Sequence, residues 1–163
     1  MVYNNPMKKF FQVLVSILLC QTAGIIGSIF TVSSIPTWYA SLNKASFNPP
    51  NWVFGPVWLT LYTLMGIAVF LVWDKARKKK EGRIALKIFA IQLLLNTLWS
   101  IIFFGYQQIF LALFNIVILW LFILLTIKQF WPISRIAGIL LIPYLLWLSL
   151  ATSLNYFVYI LNP

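Results

Sequence analysis

The 163-residue sequence contains no histidine, and its only acidic residues are Asp74 and Glu81. General acid–base catalysis needs a side chain that exchanges protons near neutral pH, so hydrolysis by an imidazole or an intramembrane carboxylate is excluded in practice. The single cysteine, Cys20, permits neither an internal disulfide nor a cysteine metal cluster. These absences remove most catalytic constellations, and we expect no metal site and no required cofactor.

Charged residues of either sign are also scarce, at 9% of the chain, whereas hydrophobic residues make up 62% and the mean hydropathy is +0.93. A soluble domain carries about a quarter charged residues. So little polar surface cannot cover a water-soluble globule, and a soluble enzyme is excluded. The length predicts a single domain over residues 1–163, with enough apolar sequence for five membrane spans of about 20 residues each.

Five apolar runs are long enough to cross a bilayer as helices, in which the backbone satisfies its own hydrogen bonds. They cover residues 10–32, 52–73, 84–104, 110–127 and 136–160. A cleaved signal peptide is the alternative for the first run, but that run exceeds the apolar core of about 7–15 residues in such peptides, so we predict a retained helix. Gly105 is the predicted C-cap of the third span, and Pro143 predicts a kink in the fifth.

The connection between the first two spans, from Ser33 to Asn51, is long and aromatic, and loops of that length are usually functional or disordered. We predict that this first loop is structured. The predicted fold class is therefore an all-α membrane protein, a five-transmembrane-helix bundle with a long structured first loop.

Basic residues are unequally divided between the two sides of such a bundle. Eleven of the twelve lie on the side of the N-terminus, ten of them outside the spans and Lys87 one turn inside the third span, and only Lys44 lies on the other side. This positive-inside bias predicts a cytoplasmic N-terminus and an external first loop. It also accounts for the net charge of +10, so we expect contact with the lipid bilayer and no nucleic-acid binding. Because no long targeting extension precedes the first span, we expect the plasma membrane of a prokaryote.

Small, polar and aromatic side chains recur at helical spacing in four spans, and polar groups inside a membrane tend to face protein or a cavity. These stripes are Cys20, Gly24, Gly27 and Thr31 in the first span; Gly55, Trp58, Tyr62, Met65 and Gly66 in the second; Gln92, Asn96, Trp99, Ser100 and Phe103 in the third; and Tyr144, Trp147, Ala151 and Asn155 in the fifth. Asn115 in the fourth span is isolated, and we predict that it makes an interhelical hydrogen bond.

Three of these side chains lie too deep to be interfacial anchors. Trp58 and Asn96 are about 9 and 12 Å from the outer ends of their helices, and Trp147 is nearer the middle of its own. They either converge on one cavity under the first loop or simply pack the bundle, and spacing alone leaves both interpretations open.

Three ordered motifs resemble those of a known membrane-protein family. The first loop and second span read WYASLNKASFNPPNWVF from Trp38 to Phe54; the third span reads QLLLNTLWSIIFFG from Gln92 to Gly105; the fifth reads LLIPYLLWLSLATSLNYFVYILN from Leu140 to Asn162. In this order they closely resemble the translocator protein family (TspO/MBR), also called the tryptophan-rich sensory proteins or peripheral benzodiazepine receptors.

The resemblance implies a five-helix membrane protein, often a homodimer, with a pocket closed by the first loop. Members bind tetrapyrroles such as protoporphyrin IX, and some bind sterols or benzodiazepine-type drugs. The family pattern gives Trp58 and Asn96 polar contacts with the ligand and makes Trp147 a facing aromatic wall. Carried over by motif, the ligand-binding residues are Tyr39, Trp58, Asn96, Trp99, Ser100, Trp147 and Ala151. No Lys or Arg follows the tyrosines of the fifth span, which disfavours the cholesterol motif proposed for animal members.

Three functions are compatible with these residues. The first is a membrane protein that binds a tetrapyrrole in sensing, sequestration or transport, and this is the function we expect. The second is light- and oxygen-dependent porphyrin breakdown, with Trp58 and Trp147 as the catalytic residues. A proton-coupled transporter is the weakest, because the spans contain no carboxylate or histidine to relay protons. No histidine is available as an axial haem ligand, although a tyrosine or the cysteine could in principle serve, and we expect metal-free porphyrin bound by its π-face.

Oligomeric state follows less directly from the residues. Ala23 with Gly27, and Gly24 with Ser28, form small-xxx-small patterns that serve either a homodimer or packing inside the bundle. We expect that they serve packing inside the bundle.

Overall fold

The computed structural model describes residues 6–163, which contain helices and no β-strand. The elements in chain order are α1 (Pro6–Ser34), α2 (Trp38–Ser41), α3 (Asn51–Ala76), α4 (Lys80–Ser100), a π-helical turn (Ile101–Gly105), α5 (Ile109–Phe130), α6 (Arg135–Leu140) and α7 (Ile142–Leu161). With the π-turn counted with α4, and α6 with α7, five helices are long and apolar enough to cross a membrane. The predicted fold class is therefore confirmed.

The observed helices extend beyond the predicted spans. The third, for example, begins at Lys80 rather than at residue 84, and the fourth continues to Phe130 rather than 127. Lysine and glutamate are good helix formers at the membrane edge, where their side chains reach water, so a hydropathy limit underestimates helix length.

Two local predictions, the kink at Pro143 and the C-cap at Gly105, have different outcomes. The fifth span, in which a kink is predicted at Pro143, is interrupted at Leu141 and resumes as α7 with the proline in its first turn. The prediction that Gly105 caps the third span is wrong, because Gly105 lies inside the last turn and the cap is Tyr106. Gly105 ends the π-turn, and within residues 6–163 the positive φ belongs to Gln107, at 56°. A π-type hydrogen bond from Tyr106 N–H to the Ile101 carbonyl (2.9 Å) closes the turn that contains Gly105, and the chain changes direction only after this turn.

The small residues of α1 serve packing within the bundle. Ala23 and Gly27 are buried, and a Cβ added to Gly24 would lie 2.4 Å from a ring carbon of Tyr62. Nearer the N-terminus of α1, the Cα of Ile17 would lie 2.4 Å from a Cβ added to Gly66 of α3. Glycine therefore lets α1 and α3 approach closely, as small residues do in membrane bundles. The homodimer implied by the family resemblance stays a prediction.

Asn115 lies on the inner face of α5 and is buried. Its Oδ1 has no hydrogen-bond partner within residues 6–163, so the interhelical bond predicted for this residue is not formed by that atom.

The first loop is held against the ends of the helices. Asn43 N–H donates to Asn162 Oδ1, and Asn162 Nδ2 donates back to the Asn43 carbonyl, both at 2.9 Å. Tyr39 of α2 is buried against Phe103 and Phe104 at the end of the third span. The predicted structured loop is thus present, and it lies against the ends of the third and fifth spans.

Candidate functional site

An aromatic cavity of about 510 Å³ lies between the helices next to the first loop. This volume falls within the range of about 300–1,000 Å³ typical of small-molecule pockets. Its walls come from α1, α2, α3, α7 and the end of the third span, and they include Trp58, Trp99 and Trp147. None of the described residues that line it is charged. The cavity therefore offers aromatic surface and a few neutral polar groups.

The structure places most of the predicted ligand-binding residues at this cavity. Those that line it are Tyr39, Trp58, Trp99, Ser100, Trp147 and Ala151. Asn96 does not line it; this side chain is 3% exposed and lies in the core. Of the three deep residues, Trp58 and Trp147 thus meet at one cavity, whereas Asn96 packs the bundle beside it. Direct ligand contact by any of the seven stays a prediction.

Asn96 connects two tyrosines that surround Trp58. The Tyr62 hydroxyl donates to Asn96 Oδ1, and Asn96 Nδ2 donates to the Tyr144 hydroxyl at 2.9 Å. Tyr62 stacks on Trp58 with 5.5 Å between ring centroids, and Tyr144 meets Trp58 edge-on at 6.1 Å. Both arrangements are favourable for aromatic pairs. Asn96 thus joins the two tyrosines whose rings pack on Trp58, and the ligand contact that the family pattern assigns to Asn96 stays a prediction.

Trp99 is also fixed by a polar side chain. Its indole N–H donates to Asn155 Oδ1 at 3.0 Å, and Asn155 Nδ2 donates to the Ile109 carbonyl at 3.2 Å. The Trp99 ring stacks on Phe103 with a centroid separation of 5.2 Å. Because this donor is already occupied, Trp99 presents an aromatic surface to the cavity.

Trp147 differs from Trp99 in its hydrogen bonding. Its Nε1 is buried and has no partner within the part of the chain that the structure describes. An unpaired buried N–H is costly, and this one has no surface exposed to the open space of the cavity. Trp147 therefore offers the cavity an aromatic wall.

Sequence reasoning omitted Tyr62 and Asn155 from the site, yet both line the cavity. The signal was already present, because each lies on one of the helical stripes that contain Trp58 and Trp147. Whether such a residue belongs to the site depends on which part of its stripe faces open space. Helical spacing alone does not determine this.

Lys44 fastens the loop beside the cavity. Its Nζ donates to the carbonyl oxygens of Tyr39 (2.6 Å) and Leu42 (2.8 Å) and lies 4.8 Å from the centre of the Tyr39 ring. Burial lowers the pKa of the Lys44 ammonium and raises the pKa of the Tyr39 hydroxyl. The Tyr39 hydroxyl donates to Asn48 Oδ1 at 3.2 Å. The basic residue of the first loop is thus used within that loop.

Together these features define a multi-pass α-helical membrane protein with an aromatic cavity beside a fastened loop. The TspO/MBR family model matches residues 16–161, and the chain belongs to this family. The family resemblance of the three motifs is therefore confirmed.

Named relatives cover most of the chain. It is 43% identical over 156 residues to "Tryptophan-rich protein TspO" of Chlorobaculum tepidum, which covers 96% of this chain and 99% of that protein. It is 42% identical over 154 residues to the protein of the same name from Archaeoglobus fulgidus, covering 94% and 99%. Identity to "Translocator protein" of Homo sapiens is 40% over 135 residues, covering 82% and 80%.

Proposed function

We propose that this membrane protein binds a tetrapyrrole, protoporphyrin IX or a close relative, and acts in its sensing, sequestration or transport. The observation that carries the proposal is the cavity walled by Trp58, Trp99 and Trp147. A flat macrocycle gains stacking and buried apolar area between such rings. Benzodiazepine-type compounds and sterols would compete for the same space.

The neutral lining determines how such a ligand would lie. Porphyrin propionates are anionic, and burying a carboxylate without a partner is costly. Since no described lining residue carries a charge, the macrocycle would enter first and the propionates would stay at the open side of the cavity.

The proposal also includes a membrane and an orientation. We propose a prokaryotic plasma membrane, with the N-terminus cytoplasmic and the first loop external. The distribution of basic residues supports this orientation. An ion pair between Lys9 and Asp74 (3.4 Å) is consistent with the start of α1 and the end of α3 sharing one side.

Titration of the detergent-solubilised protein with protoporphyrin IX in the dark tests the proposed function. Tryptophan fluorescence should be quenched saturably with one-site behaviour. Trp58→Leu should weaken binding by about tenfold, equivalent to about 1.4 kcal/mol, because it removes one wall of the cavity.

Trp131→Leu is the matched control, because Trp131 is partly exposed and does not line the cavity. It should bind porphyrin like the wild type. Equal, non-saturating quenching in all three proteins would show porphyrin partitioning into detergent only, and would contradict the proposal.

Esterification of the ligand tests the proposed position of the propionates. The dimethyl ester of protoporphyrin IX should bind within about threefold of the free acid, because no charge in the described cavity lining pairs with the carboxylates. Competition against the free acid in the same fluorescence assay measures the ratio. A much weaker ester would reveal a cationic partner for the propionates and contradict this binding orientation.

The alternative function is light- and oxygen-dependent breakdown of the bound porphyrin, with dioxygen as the oxidant. It is favoured by one observation: Trp58 and Trp147, the residues proposed as catalytic, line the same cavity. Illumination of the saturated complex separates the two functions. Steady product formation that Trp58→Phe and Trp147→Phe abolish while binding persists would support the enzyme. An unchanged porphyrin spectrum under light would support binding alone.

A further inference from the structure

The cavity is open on one side, between α1 and α3. Its lining includes strongly exposed side chains of both helices: Ile25 (60% exposed) and Val32 (69%) on α1, and Trp52 (75%) and Leu59 (62%) on α3. The lining residues of α4 and α7 are buried or half-buried. We call the opening the lateral cleft, and its residues are Ile25, Ser28, Val32, Trp52, Gly55 and Leu59.

At the end further from the first loop, the lateral cleft is closed by contacts between α1 and α3. There Gln21 Nε2 of α1 donates to the Leu59 carbonyl (2.9 Å) and to Thr63 Oγ1 (3.0 Å) of α3, and Gly24 touches the Tyr62 ring. Nearer the first loop the contact is lost, because a Cβ added to Gly55 would meet no atom within 4 Å. The two helices therefore diverge toward the loop, on a face whose exposed large side chains are apolar.

A route into the cavity past the first loop is more firmly closed than the lateral cleft. Passage there would break the reciprocal bonds between Asn43 and Asn162, both 2.9 Å long, and the edge-on contact of Phe47 with Phe157 at 5.3 Å. Buried Tyr39 and the bonds of Lys44 add to this closure. Passage through the lateral cleft breaks no hydrogen bond seen in the structure.

We propose that the lateral cleft is the portal of the cavity, through which ligand moves directly between the binding site and the bilayer leaflet next to the first loop. This inference rests on the proposed function. It defines the ligand class as amphiphiles that dissolve in the membrane before they bind, with a flat apolar body that passes between α1 and α3. Their polar groups stay at the level of the lipid headgroups, consistent with the uncharged lining.

Blocking the portal with a label of graded size tests this. Ile25→Cys places a thiol in the cleft, and the native Cys20 is buried. Ile26→Cys is the matched control, because Ile26 is also exposed and lies about 100° further around α1, away from the cavity lining. Each variant is labelled in detergent with a methylthio group or a bulky biotin maleimide and then reconstituted into lipid nanodiscs. Stopped-flow tryptophan quenching by protoporphyrin IX gives the association and dissociation rates, with wild type treated in parallel.

The bulky label at position 25 should slow association and dissociation together by about tenfold relative to the methylthio form, because an obstruction in the path affects both directions. At position 26 the two labels should give equal rates. Asn162→Ala, which frees the loop, should leave association within about twofold of wild type.

Two results would overturn the portal. One is an equal rate for both labels at position 25 in a protein that still binds saturably. The other is faster association in Asn162→Ala, which would assign the route to the first loop. A wild-type protein without saturable quenching would overturn both the proposed function and the portal.

Discussion

Asn96→Leu is expected to destabilise the bundle by about 3 kcal/mol and to weaken porphyrin binding by about tenfold. The leucine fills a similar volume but leaves the hydroxyls of Tyr62 and Tyr144 without their shared partner in the core. A buried polar group that loses its partner costs about 1–3 kcal/mol. Binding weakens because Trp58 is then free to move away from the two tyrosine rings. Thermal unfolding in detergent and the fluorescence titration measure the two effects.

A triple variant separates positioning from direct ligand contact. Tyr62→Phe and Tyr144→Phe, added to Asn96→Leu, remove both orphaned hydroxyls and keep the rings that pack on Trp58. Stability should recover, because replacing all partners by apolar groups is nearly neutral. Affinity should recover with it if Asn96 acts through Trp58. Recovery of stability without recovery of affinity would show that one of the removed polar groups, the Asn96 amide or a tyrosine hydroxyl, contacts the ligand directly.

Gly66→Val is expected to produce the second large effect, a loss of about 3 kcal/mol of stability. The new Cβ would lie 2.4 Å from the Cα and 2.8 Å from the N of Ile17. These are backbone atoms of a neighbouring helix, so no side-chain rotation relieves the contact and α1 must move away from α3. Close approach of backbones is the main source of helix association in a membrane. The midpoint of thermal unfolding measures the loss.

Gly55→Val is the matched control in the same helix. Apart from its own helix and chain neighbours, a Cβ at Gly55 meets nothing within 4 Å, but valine directly before Pro56 carries a local backbone penalty. The identical substitution should therefore lower the unfolding midpoint clearly less than Gly66→Val. Equal losses at both positions would mean that valine in α3, and not the contact with Ile17, causes the effect.

The five helices were predictable because the length of an apolar run is a local property of the chain. Lys80 and Phe130 show where this reasoning stops, since the observed ends include residues that hydropathy counts as loop. Gly105 shows a second limit. Glycine at the end of a span is typical of a left-handed cap, but the π-turn moves the reversal to Gln107. The hydrogen-bond register that decides this depends on neighbouring helices.

The candidate site was predictable in outline for a related reason. Helical spacing put Trp58 and Trp147 on inward faces, and both line the cavity. The same spacing put Asn96 there, but it does not distinguish a side chain that faces open space from one that faces a neighbour. Both polar atoms of the Asn96 amide are already hydrogen-bonded, to Tyr62 and to Tyr144.

Composition, run length and ordered motifs were enough to predict the membrane environment, the number of helices, the family and the aromatic character of the inner faces. The pairing of the polar groups, the fastening of the loop and the opening of the cavity became visible only in the folded chain. Asn43 and Asn162 form hydrogen bonds although they are 119 positions apart in the sequence. Ile25 and Leu59 line the same cleft only because α1 and α3 diverge beyond Tyr62. Such contacts depend on the relative placement of distant helices, which no local pattern encodes.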